Sequence, residues 1–166
     1  MGGNILEFLK TSFILIIVLL ASIYDHKKKR IPNLLIVIGF LSSIMFDLFL
    51  YPISSKDIFI KIIGICVLFF FGMLRLMGLG DIKLWMVITA YWGIIISSAI
   101  ITGASLLLII HRCLFNEKEK ELVYLSVWQI MHYKKLNIIP QREYPFAPYI
   151  FVFTFVYASW IIAGGV

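Results

Sequence analysis

Apolar stretches of about 20 residues, the length a helix needs to cross a hydrocarbon core of about 30 Å, recur along almost the whole chain. Short polar breaks separate them, and none alternates with the period of two that a transmembrane barrel strand requires. Within lipid, each backbone N–H and C=O must find its partner inside the protein, which selects the helix for such stretches. The chain has 61% hydrophobic residues over 166 positions. An ordinary soluble domain has roughly 45–50%. The expected fold is therefore all-α, a polytopic membrane helix bundle of about six transmembrane helices, with residues 1–166 in a single membrane-embedded domain.

The first expected span covers about residues 5–24 and stops at Asp25. His26-Lys27-Lys28-Lys29-Arg30 follows, a basic loop that the positive-inside rule puts in the cytoplasm. Ile31-Pro32-Asn33 opens a second span to about residue 50, with Pro32 near a helix start where its missing N–H is not needed. A turn over residues 51–57 lies on the outer side, and a third span, about 58–77, returns the chain to Gly78. Residues 82–110 are too long for one comfortable span, so Gly93 is expected to divide them into spans of about 82–92 and 94–111. The polar segment 112–143 carries a central stretch, 122–131, expected to lie as a helix on the membrane surface. Pro145-Phe146-Ala147-Pro148 then opens the last span, which ends near Ala163. With both basic segments inside, the topology predicts a multi-pass protein of the cytoplasmic (inner) membrane with both termini outside.

The formal charge is +6, but its concentration in inter-helix segments points to membrane lipids as the partner rather than to nucleic acid. No glycine-rich phosphate loop and no basic patch interleaved with stacking aromatics is present. Cys66 and Cys113 stand alone without any C-x-x-C, and His26, His111 and His132 are scattered, so no metal site and no cofactor is expected. The first apolar run ends in a basic cluster without a small-residue cleavage site and is expected to be retained.

Against this background Gly78-Leu79-Gly80-Asp81 stands out. An ionisable side chain at or near membrane depth is costly and marks a functional site by default. Glycines free the backbone to adopt φ > 0 and let another backbone approach. Asp25 and Asp81 are separated by two spans, so both are expected near the cytoplasmic face at similar depth. Two carboxylates in one site tend to share a proton. The ionised member can then take a proton from water while the neutral one hydrogen-bonds a scissile carbonyl, which is general acid–base hydrolysis. Asp81 sits at a helix start, where the helix dipole favours charge, so Asp25 is expected to hold the proton.

Gly78 and Gly80 are the next candidates, as positions where a side chain would crowd a bound backbone. Lys83 is expected either to steady the dyad or to sit among headgroups, and Arg75 to snorkel to the same interface. Pro145 and Pro148 are expected to shape the entry of the last span. Asp47 and Asp57 read as caps or solvated interface residues. Two rival readings use the same residues: a small ion- or proton-coupled transporter subunit, and a non-catalytic membrane protein of pilus assembly. No inverted repeat and no matching pair of broken helices supports the transporter.

Three segments together resemble the type IV prepilin peptidases and the related archaeal preflagellin peptidases. They are Asp25-x-x-x-x-Arg30-Ile31-Pro32-Asn33, Gly78-Leu79-Gly80-Asp81-Ile82-Lys83-Leu84, and Pro145-Phe146-Ala147-Pro148-Tyr149. The resemblance implies an aspartyl endopeptidase with Asp25 and Asp81 catalytic and a cytoplasmic-side active site. The implied substrates are pilin-like precursors with a basic leader followed by an apolar helix. Larger members of that family carry a cytoplasmic insertion with paired C-x-x-C motifs and also methylate the new N-terminus. Nothing here corresponds to that insertion, so peptidase activity without methyltransferase activity is expected. Presenilin-like proteases also pair Tyr-Asp with Gly-x-Gly-Asp, but the Arg30-Ile31-Pro32-Asn33 segment fits them poorly.

Overall fold

A computed structural model describes residues 2–50, 55–74, 78–115 and 145–163. Among these residues there are six helices and no strand: α1 (Gly2–Lys28), α2 (Asn33–Leu50), α3 (Ser55–Met73), α4 (Leu79–Trp92), α5 (Ile94–Phe115) and α6 (Ala147–Ile162). The expected elements match these in order and nearly in extent. The surface helix expected over 122–131, the turn at 51–54, Arg75 and His132 lie outside the described residues.

Each boundary has a local cause. Lys29 takes φ +49 and its N–H reaches Asp25 O at 2.8 Å, a left-handed cap that ends α1. That conformation costs a residue with a Cβ about 1–2 kcal/mol. Gly93, at φ +83, is the one positive-φ glycine among the described residues, and it breaks the apolar run into α4 and α5. Pro148 occupies the first turn of α6, where no helical N–H is lost.

The 14-residue α4 is the hub, packing on α1, α2, α3 and α5, while α6 closes the bundle against α1 and α5. Its Ile82, Leu84, Val87, Ile88 and Tyr91 are buried. They meet Ile14, Ile17 and Val18 of α1, Ile36 of α2, Ile100 and Ala104 of α5 and Ile150 of α6 in one apolar core. Outward faces are apolar too, with Ile16, Leu41, Phe59, Phe70, Ile109 and Phe155 all exposed. Two helical segments, Ile5–Lys28 and Ile94–His111, are long and apolar enough to cross a membrane, each with a mean hydropathy of 2.2. The apolar segments Asn33–Leu48 and Ala147–Ile162 are shorter.

Polar contacts stitch the helices at defined heights. Thr89 and Ser97 hydroxyls meet at 2.7 Å between α4 and α5, and Trp85 Nε1 donates to Ser97 Oγ at 3.2 Å. Ser42 and Tyr91 hydroxyls meet at 2.6 Å between α2 and α4. Lys10 of α1 and Lys61 of α3 both donate to the Asp47 carboxylate of α2, at 2.8 and 2.6 Å. Asp47 is thus neither a cap nor a freely solvated residue: two cations from separate helices hold it, and its side chain keeps only 16% exposure. Asp57 does sit in the first turn of α3, where a carboxylate suits the helix dipole.

Candidate active site

Asp25 is placed by the inward stripe of α1. Thr11, Ile14, Val18, Ala21 and Asp25 follow one another at steps of three and four residues, and all are buried. Asp25 is the last member of that stripe, 8% exposed, while His26 to Arg30 beyond it are open to solvent. A residue type that belongs on a surface therefore stands at the end of a core seam.

Asp81 comes from the first turn of α4, opposite in the chain and adjacent in space. Gly78 N-caps that helix with φ −58 and ψ 132, so it does not use the positive φ that its lack of a side chain would allow. Its requirement is steric. A Cβ on Gly78 would lie 2.8 Å from Asp81 Oδ2, which means the bare backbone leaves room for the carboxylate itself rather than only for a ligand. Gly80 is under no such constraint: a Cβ there would meet Ile31 at 3.7 Å, an ordinary contact.

The segments that flank the two acids interlock. Ile31 packs over Gly80, and Lys83 Nζ donates to Asn33 Oδ1 at 2.8 Å, tying the start of α4 to the start of α2. The third segment arrives at Asp25 through its backbone, as the buried Ala147 N–H donates to Asp25 Oδ2 at 3.1 Å. The first turn of α6 thus points a donor of its positive end at a carboxylate. Tyr149 OH lies 2.9 Å from His111 Nδ1, joining the same turn to α5.

Asp25 and Asp81 line a cavity of about 700 Å³ together with Tyr24, Arg30, Pro32, Gly78, Gly80 and Lys83, among others. Neither Pro145 nor Pro148 lines it, and their segment contributes the Ala147 N–H instead. Sequence reasoning missed that N–H, because a main-chain donor leaves no residue signature beyond the prolines around it. It also missed the pairing of Asn33 with Lys83.

The two carboxyl groups face one cavity, where together they can present an acid and a base to a peptide bond.

The family model described as "Type IV leader peptidase family" matches residues 12–113, a stretch that includes both acids and Gly78 to Lys83. No curated protein and no solved structure matches the chain.

Proposed function

We propose that this chain, which belongs to the type IV leader peptidase family, is an aspartyl endopeptidase that removes the short leader of pilin-like precursors at the cytoplasmic face of the membrane. The observation that carries the reading is the convergence of Asp25 and Asp81, from α1 and α4, in one cavity. In this mechanism the ionised member of the pair takes a proton from a water molecule, with Asp25 held in place by the Ala147 N–H. The neutral member donates to the oxygen of the scissile carbonyl. Water attacks the carbonyl carbon, and the C–N bond breaks as the nitrogen receives a proton from the pair. Lys83, bonded to Asn33, and the bare Gly78 hold Asp81 in position.

The membrane setting is part of the proposal. Apolar side chains over the outward helix faces favour a bundle whose helices α1 to α6 sit in lipid, with both termini outside and the basic residues after α1 in the cytoplasm. A substrate with a hydrophilic leader and an apolar helix would then present its junction at the depth of the two acids.

Cleavage of a pilin-like precursor in membranes, comparing wild type with Asp25→Asn and Asp81→Asn at equal protein levels, tests the reading. Loss of the shortened product in both variants is expected. Cleavage that persists in either variant removes that acid from the mechanism and returns the chain to a transporter or scaffold role.

A further inference from the structure

The first turn of α6 has few main-chain donors to give. Phe146 caps the helix without a side-chain hydrogen bond, and Pro148 has no N–H. The Tyr149 and Ile150 N–H groups both turn back to Phe146 O, at 3.0 and 3.3 Å. Of residues 147–150, Ala147 alone therefore sends an N–H out of the helix, and it goes to Asp25 Oδ2. A turn without a side-chain cap frays unless something outside the helix holds it. One face of α6, with Ala147, Ile150, Thr154 and Ala158, is buried in the bundle. A second face carries Tyr149, Phe153 and Tyr157 at steps of four and meets α4 and α5. The Tyr157 ring stands edge-on to Trp92 with centroids 4.9 Å apart, and the Phe153 ring fills the place of a Cβ on Gly103. These two rings fix the body of α6. Within the uncapped turn the contact with α5 is Tyr149 OH, 2.9 Å from His111 Nδ1.

We infer that Tyr149 and His111 are positioning residues for Asp25: their bond braces the first turn of α6 from α5 and so keeps the Ala147 N–H aimed at the carboxylate. Neither is among the residues that line the cavity of the two acids, so they act through the main chain. The effect on rate rests on the peptidase reading above, whereas the effect on the Ala147 N–H rests on the hydrogen bonds alone. Asp25 ends the inward stripe of α1, so packing sets its backbone. Its carboxylate can still turn about the side-chain torsions, and the N–H selects one orientation. Loss of the brace leaves α1 in place and frees the carboxylate to turn, which lowers kcat with little change in KM.

The test reads the bond and the rate separately, in the full chain in phosphatidylcholine vesicles. Tyr149→Phe keeps the ring and removes the hydroxyl. Amide hydrogen exchange at Ala147 is expected to quicken about fivefold, the worth of one hydrogen bond, while Thr154 and Ala158 exchange as in wild type. Cleavage of a pilin-like precursor is expected to lose about five- to tenfold in kcat at unchanged KM. His111→Leu should match Tyr149→Phe, and His111→Asn, whose amide falls near the place of Nδ1, should recover most of the rate. Tyr157→Phe, which keeps its ring on Trp92, should behave as wild type. Lactic acid in place of Ala147 turns its amide into an ester and removes the donor itself. In that background Tyr149→Phe should cost less than about twofold more, because the two changes act through one bond. Unchanged Ala147 exchange or unchanged kcat in Tyr149→Phe, or an equal further loss in the ester background, overturns the inference and leaves the peptidase intact. Faster Ala147 exchange in Tyr149→Phe, with no cleavage by wild type, keeps the brace and overturns the peptidase.

Discussion

A methyl group on Gly78 would stand 2.8 Å from Asp81 Oδ2, closer than the two atoms can rest without one of them moving. The atom that yields is the end of a flexible side chain, so the fold survives and the carboxylate is displaced. Gly78→Ala is therefore expected to melt within a few degrees of wild type while cleavage falls by about tenfold or more, since misplacing a reacting group by about 1 Å can cost about a hundredfold. Gly80→Ala has only an ordinary 3.7 Å contact with Ile31 to accommodate. It also gains helix propensity of about 1 kcal/mol, and should be at least as stable as wild type. Parallel measurement of kcat and Tm separates the two glycines.

Asp47 holds Lys10 and Lys61 from two other helices in a setting where none of the three is more than 20% exposed. Asp47→Asn leaves two neighbouring ammonium groups without their anion and should destabilise the protein by about 1–3 kcal/mol, between the cost of an exposed and a buried pair. Replacing all three, as Lys10→Met, Asp47→Leu and Lys61→Met, should recover most of that loss. Lys10 and Asp25 are separated by about 22 Å along α1, so specific activity of the folded fraction should not change in either variant. Denaturation midpoints and active-fraction assays read both outcomes.

Lys83 and Asn33 form a water-facing bond between the starts of α4 and α2. Lys83→Met and Asn33→Ala should each lower stability by less than about 1 kcal/mol, and the double variant should cost less than their sum. Strict additivity in the double-mutant cycle would mean that the bond contributes nothing in solution.

The helices were legible because their cause is local: a run of apolar residues of one length, cut by Gly93 or by the basic residues after Asp25. Asp25 and Asp81 were legible as charges out of place. Asp47 was not, because its partners lie 37 and 14 residues away and only packing brings them together. Gly78 was singled out for the room it would leave a ligand backbone, whereas in the structure the space beside it is taken by Asp81.

The 14 residues of α4 rise about 21 Å, well short of the about 30 Å of hydrocarbon that the proposed topology asks a span to cross. In that topology lipid would have little contact with this shortfall, because α4 is walled in by α1, α2, α3 and α5. Hydrophobic mismatch would then fall on the outer helices, which would answer a thicker or thinner bilayer by tilting. Asp81, carried on a helix that acyl chains would scarcely touch, would keep its height relative to the bundle when the surrounding bilayer changed thickness.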